Sequence, residues 1–250
     1  MIKSYKGTHI WVLGASSGIG LALARELSDA GAILALSSRR RPELNDINEA
    51  LGGQHLVVPC DASNPASIEA ASATVFKQFP KVDHAIYMAG YYNPTKFENV
   101  KLNDFQRTLD VNLTGAFVFS SCTLKAFQTQ GFGQIALCAS VAGYRGLPNG
   151  QPYSATKAAI INMAESLCVE NQNPEIDIKL INPGFVRTPM TDKNSFKMPM
   201  IMEPEGAAKA ITIGLQSKNF EIHFPKKFTY FLKLLRIIPA CIYFWLIKNK

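Results

Sequence analysis

The sequence predicts an α/β fold: a doubly wound parallel sheet of about seven strands with helices on both faces, followed by a basic amphipathic C-terminal tail. Three observations predict it. Short apolar, β-branched runs alternate with longer segments of helical spacing. The first of these runs leads directly into a glycine-rich turn that opens a helix. The chain has 250 residues, 47% of them apolar, and neither a Ser- or Pro-rich linker nor an internal repeat divides it, which suits one sizeable core. One domain over 1–225 and an appendage over 226–250 are therefore expected.

Taken in order, strands are expected at 9–13, 33–37, 55–59, 84–88, 134–139, 177–181 and 220–224. Helical spacing fills 18–30, where Gly31 supplies a C-terminal stop, and then 65–79, 102–130, 153–171 and 204–215. Strand and helix alternating at this rhythm imply parallel strands covered on both faces. The first seven residues contain no apolar stretch of signal-peptide length. The five cysteines, Cys60, Cys122, Cys138, Cys168 and Cys241, are scattered without CxxC spacing. They read as reduced thiols of a cytoplasmic protein, not as a disulfide or zinc framework, and no metal site is expected.

The net charge of +7 is concentrated at one end. After Glu221 there is no acidic residue, whereas Lys226, Lys227, Lys233, Arg236, Lys248 and Lys250 are basic; the preceding 221 residues carry about +1. The basicity belongs to the tail, so nucleic-acid binding by the domain is not expected.

Gly14-Ala15-Ser16-Ser17-Gly18-Ile19-Gly20 follows the first strand. Glycines permit a tight turn and let the backbone approach a pyrophosphate, which the free N–H groups of the helix start then face. The spacing is GxxxGxG, not the GxGxxG of the usual dinucleotide fingerprint, and a glycine turn without a ligand is the plain alternative. The second strand ends in Ser37-Ser38-Arg39-Arg40-Arg41. An NAD site usually places an acid here for the adenosine ribose; the next acid is Glu43. Arg39 instead stands where a 2′-phosphate would lie, with Ser38 able to add a hydrogen bond, which favours NADP(H). Arg40 and Arg41 read equally well as a solvated basic turn. After the third strand, Asp61 either meets the adenine amino group or caps the following helix.

Ser140 closes the fifth apolar run, Tyr153 follows thirteen residues later, and Lys157 lies four beyond that. The i, i+4 spacing puts phenol and ammonium on one helical face. A nearby cation is expected to lower the phenol from its usual pKa near ~10. Tyr153 would then exchange a proton with a carbonyl oxygen while Ser140 shares the developing charge on it. Lys157 could also bind a nicotinamide ribose. A Tyr-x-x-x-Lys pair alone is common on surface helices; Ser140 and the glycine turn make this one specific.

Together these residues resemble the short-chain dehydrogenase/reductase family over about 8–224, through the glycine turn, Ala89-Gly90, Asn112, Ser140, Tyr153-Ser154-Ala155-Thr156-Lys157 and Asn182-Pro183-Gly184-Phe185-Val186-Arg187-Thr188. The resemblance implies a single Rossmann-like domain and a catalytic tetrad of Asn112, Ser140, Tyr153 and Lys157, with Asn112 holding a water that links Lys157 to solvent. It implies cofactor contacts from Gly14, Ser16, Ser17, Gly18, Ile19, Gly20, Ala89 and Gly90. Pro183, Gly184, Val186 and Thr188 would cradle the nicotinamide and its phosphate. It moves Asp61, with Ala62, toward adenine. It also implies a homodimer through the long helices around Asn112 and Tyr153. A tetramer through the last strand ranks second, because the tail would cover that surface. Three departures stand out: Leu13 where the family often has Thr, Tyr87-Met88-Ala89-Gly90 where Asn-Asn-Ala-Gly is common, and no Asp-Gly-Gly-like ending. Met88 puts the seating of the cofactor in question.

Residues 189–203 are rich in Met, Pro and Phe and would close over a hydrophobic or bulky carbonyl substrate, or else pack on the protein's own core or on a second subunit. In the tail, Phe228, Phe231, Leu232, Leu234 and Leu235 share one side of a helical wheel, with Lys233 and Arg236 opposite; Pro239 interrupts before Ile242-Tyr243-Phe244-Trp245-Leu246-Ile247. No uncharged stretch approaches the ~20 residues that span a bilayer. The tail suits the headgroup region of a membrane's inner face or a packing role on the domain or another subunit. The expected function is NADPH-dependent interconversion of a carbonyl and an alcohol. The alternatives are a non-catalytic NADP(H)-binding sensor and a membrane-surface interaction protein.

Overall fold

The computed structural model describes residues 4–248, with the backbone alone at Lys248. Lys250 and the side chain of Lys248, both counted in the basic tail, lie outside the described residues. Seven strands form one sheet: β1 (His9–Leu13), β2 (Ile33–Ser37), β3 (Leu56–Val57), β4 (His84–Tyr87), β5 (Gly133–Cys138), β6 (Ile176–Pro183) and β7 (Glu221–Phe224). Their order is β3-β2-β1-β4-β5-β6-β7, and every pairing is parallel. The order reverses between β1 and β4, which opens a crevice at the carboxyl ends of those strands.

Alternation along the strands builds two cores. Trp11 and Leu13 of β1, Ala85 and Tyr87 of β4 and Ile135 and Leu137 of β5 enter one cluster. Ile10 and Val12, Ile86, Ala136 and Cys138 enter the other. The first cluster lies under α3 (Pro65–Gln78), α5 (Gly115–Gln130) and α6 (Tyr153–Glu170), and α4 (Leu102–Leu109) adds no residue to it. The second lies under α1 (Gly18–Asp29), α2 (Arg41–Ala50) and α7 (Pro204–Leu215). Burial on both faces explains why these strands read as continuous apolar runs.

The differences from expectation have local causes. The third strand shrinks to two residues because it is an edge with β2 as its one neighbour; beyond it pairing continues irregularly, from Val58 N–H to Leu36 and from Cys60 N–H to Ser38. The expected helix 102–130 is interrupted by a π turn at Asp110–Thr114. There the Tyr87 hydroxyl donates to the Val111 carbonyl, which an α-helix would offer to Gly115, and the Gly115 N–H bonds Asp110 O instead.

The tail folds into α8 (Lys226–Ile237) and α9 (Ala240–Lys248). The expected single apolar side divides. Phe228 and Leu232 pack on the first core cluster, whereas Phe231 and Leu234 face outward. Thr229 is fully buried and bonds His223 Nδ1 at 2.6 Å. The Lys233 ammonium sits 2.6 Å from the Glu221 carboxylate. Arg145 donates to the carbonyls of Leu235 (2.6 Å), Ile238 (2.8 Å) and Arg236 (3.3 Å), satisfying groups that a helix end leaves free.

His223 makes this docking pH-sensitive. Burial, with Lys233 and Lys226 nearby, pushes its imidazole down to about 4, and Glu221 opposes this in part. The unfolded chain, with an imidazole pKa near ~6.5, binds the proton more readily, so this contribution to stability is complete above about pH 6.5 and is lost as pH falls toward about 4. Urea midpoints at neutral pH and near the lower limit should therefore differ more in the wild type than in His223→Gln.

Candidate active site

The crevice between β1 and β4 is a cavity of about 530 Å³. At its phosphate end, Gly14 has φ +106°, and a Cβ there would lie 2.6 Å from the Ala89 nitrogen; one at Gly20 would lie 2.1 Å from the Gly14 oxygen. The turn thus packs backbone on backbone, which no larger residue allows. Ser17 occupies the N-cap of α1 without a side-chain bond to the first turn, so the orphan N–H groups of Gly18, Ile19 and Gly20 face the cavity. Gly18 abuts Thr188 and so joins the turn to the loop after β6.

Ser38, Arg39 and Arg40 line the far end. The Ser38 hydroxyl is buried and has no hydrogen-bond partner among the described residues. Arg40 pairs with Glu43, whereas Arg39 lies near Asp61. Asp61 does not cap α3: Asn64 stands at that N-cap and accepts from Ser67 N–H. Asp61 Oδ1 accepts from the Ser63 N–H (2.9 Å) and hydroxyl (2.8 Å). Burial pushes its carboxyl up, but these two bonds, with Arg39 and Arg107, hold it below the usual carboxylate range.

At the chemical end, Ser140, Tyr153 and Lys157 line the same cavity. Ser140 leaves β5 at the N-cap of a short turn, its hydroxyl accepting from Ala142 N–H at 3.1 Å. Tyr153 is the first residue of α6, after Pro152, and Lys157 stands one turn on. The Lys157 ammonium is buried, donates to the Cys138 carbonyl at 2.8 Å and lies 5.4 Å from the centre of the Tyr153 ring. The expected lowering of the phenol is not found. Burial raises Tyr153 above the ordinary tyrosine range, the Ser140 hydroxyl offsetting it in part, and the same burial lowers Lys157. Desolvation penalises both charged forms and is the largest cause of each shift.

Ala62, Ala89, Gly90, Pro183, Gly184, Val186, Thr188, Ser16 and Gly14 all line the cavity. Asn112 stands behind the wall. It is fully buried in the π turn, and its side-chain amide accepts from Tyr91 N–H (2.7 Å) and donates to Tyr91 O (3.0 Å) and to Thr156 Oγ1 (3.1 Å). A Cβ placed at Gly90 would lie 3.8 Å from Asn112 Oδ1 and 4.0 Å from Lys157 Nζ. Met88 lines the groove and packs on the second core cluster, beside Gly20.

Tyr91, Tyr92, Arg107 and Lys193 also line the cavity, and sequence reasoning missed them as site residues; Met190, from the segment expected to close over the substrate, lines it as well. Tyr92 meets the Tyr153 ring edge-on at 4.9 Å, its hydroxyl donates to Asn194 Oδ1 (2.8 Å), and Lys193 Nζ donates to its carbonyl (3.1 Å). These bonds latch segment 189–203 across the mouth. In that segment Met190 lines the cavity, while Met202 packs on the core.

A parallel α/β crevice with a glycine turn at one end and a Ser-Tyr-Lys group at the other defines an oxidoreductase that uses a nicotinamide nucleotide. The short chain dehydrogenase family pattern matches residues 8–198, and the chain belongs to that family. An uncharacterized oxidoreductase from Staphylococcus epidermidis is 32% identical over 204 residues, 82% of this chain and 89% of that relative. A 3-oxoacyl-(acyl-carrier-protein) reductase from Rickettsia bellii is 30% identical over 75% of this chain and 76% of its own. Among solved structures, an alcohol dehydrogenase from Thermococcus sibiricus complexed with 5-hydroxy-NADP superposes with a TM-score of 0.79 at 26% identity, covering 88% of this chain and 96% of that one.

The contact at Gly20 gives a direct check. Gly20→Ala should abolish dinucleotide binding in a fluorescence titration, because the added methyl would lie 2.1 Å from the Gly14 oxygen. Gly146→Ala, whose Cβ would meet nothing within 4 Å, should bind as the wild type does.

Proposed function

We propose that this oxidoreductase reduces a hydrophobic ketone or aldehyde with NADPH, and oxidises the alcohol in reverse. The carrying observation is that Ser140, Tyr153 and Lys157 open onto the same cavity as the glycine turn, with the lysine held in the interior. The residues fit the cofactor. The free N–H groups after Ser17 would hold the pyrophosphate, Ser38 and Arg39 a 2′-phosphate, and Asp61 and Ala62 the adenine; Pro183, Gly184, Val186 and Thr188 would border the nicotinamide. When bound, the reduced nicotinamide supplies a hydride to the carbonyl carbon.

The protein's own groups handle the proton. Tyr153, kept neutral by burial, donates its phenolic hydrogen to the carbonyl oxygen. Ser140 donates a hydrogen bond to the same oxygen and stabilises the charge that develops there. Lys157 lies beneath the phenol, fixed by Cys138 O, with donors to spare for a ribose hydroxyl. Asn112 acts as a positioning residue: its amide is engaged with Tyr91 and Thr156, and Thr156 in turn donates to Tyr153 O at 2.7 Å. Tyr92, Tyr153 and Met190 make the substrate end apolar and aromatic, which supports a hydrophobic carbonyl. The name of the Rickettsia relative puts 3-oxoacyl thioesters on the panel to be screened. Five free thiols support a cytoplasmic setting, and Phe117 on α5, 61% exposed, supports pairing of two copies across the long helices.

A panel of steroid, fatty-aldehyde, 3-oxoacyl, sugar and quinone carbonyls, followed by NADPH oxidation, should identify a turned-over substrate. On that substrate Tyr153→Phe should lower kcat by about 10²–10⁴-fold while cofactor binding persists; ordinary turnover would dismiss the assigned acid. Arg39→Asp should raise the KM for NADPH by about tenfold or more and improve the use of NADH. An unchanged preference would remove Arg39 from the phosphate site.

A further inference from the structure

We propose that α8 and α9 form a docking surface for an anionic lipid bilayer. Their inner faces are engaged: Phe228 and Leu232 pack on the core, Lys233 pairs with Glu221, and the Arg145 guanidinium holds three carbonyls at the end of α8 and just beyond it and stacks 4.1 Å over the Tyr243 ring. The Tyr243 hydroxyl donates to Gly146 O at 2.5 Å, so α9 is fixed to the same loop. With the tail docked in this way, a second apolar stripe points outward. Phe231, Leu234 and Ile237 are 53%, 56% and 77% exposed, at the spacing of one helical face. Ile242, Phe244 and Trp245 are exposed on α9.

Charge decides what fits this surface. Lys226, Lys227 and Arg236 are exposed beside the stripe, and no acidic residue follows Glu221. An apolar stripe flanked by cations is the chemistry that enters the headgroup region of an anionic membrane. A two-fold contact between copies would set this segment against itself, cation facing cation. Among the described residues no helix is long and apolar enough to cross a membrane, so the surface lies on the bilayer and does not span it.

The test uses the whole protein with no substrate or cofactor, so its failure leaves the hydride-transfer assignment untouched. Removing the tail would strip the core beside Phe228, so point substitutions are the better tool. The protein should float with vesicles of phosphatidylcholine and phosphatidylglycerol, more than with phosphatidylcholine alone, and salt should weaken the binding. Trp11 is fully buried and Trp245 is 66% exposed, so a blue shift of emission on adding vesicles reports on α9. Phe231→Ser with Leu234→Ser should cut partition by about tenfold or more, with circular dichroism unchanged; Lys226→Glu with Lys227→Glu should cut it on anionic vesicles. Absence of flotation at low salt, equal binding to neutral vesicles, or unaltered binding by both double variants would each overturn the proposal. A serine double variant that falls to a smaller oligomer in light scattering would instead make the stripe a contact between copies.

Discussion

Lys157 is a cationic side chain held in the interior of an α/β sheet protein, its ammonium bonded to the main-chain carbonyl of Cys138 at the end of β5. An unfavourable burial of this kind persists when the surrounding structure gives it a fixed partner. Here the partner ties the first turn of α6 to the strand that delivers Ser140, so the position of the phenol follows from that of the lysine. The same dry environment acts on both groups, depressing the ammonium and elevating the phenol. The phenol is therefore held in its protonated form at neutral pH.

The opposite wall depends on an exchange of hydrogen-bond partners. Tyr87 takes the Val111 carbonyl, the helix widens by one residue, and Asn112 turns its amide toward Tyr91 and Thr156. Gly115 permits the arrangement, since a Cβ there would collide with Ala62 O and the Tyr87 hydroxyl. A tyrosine at the first position of Tyr87-Met88-Ala89-Gly90 thus reaches the asparagine through the backbone of the helix that carries it.

Local patterns were legible where local physics decides. The strands at 9–13 and 33–37 and the helix at 204–215 match residue for residue, because each is a continuous apolar or amphipathic run with clear stops. Features set by tertiary contact were not. The π turn needs the Tyr87 hydroxyl from another element, and the shortening of β3 needs knowledge of which strand lies at the edge. The divided face of α8 reflects where Arg145 and Glu221 fix the helix, which a helical wheel does not contain. Of the cavity residues, the glycine turn, Ser140, Tyr153 and Lys157 were legible from spacing, and Ala89, Gly90, Pro183, Gly184, Val186 and Thr188 through the resemblance to the family. Tyr91, Tyr92, Arg107 and Lys193 were not, because they reach the cavity from loops and helices with no motif of their own.

Arg145 sits five residues after Ser140, and Gly146 and Tyr144 beside it hold Tyr243 and Glu221. One short strap therefore carries both a wall of the reaction centre and the moorings of the last two helices. The last two helices are thus anchored to backbone that lies within six residues of Ser140, so any shift of theirs bears first on the stretch that leaves β5 for the cavity.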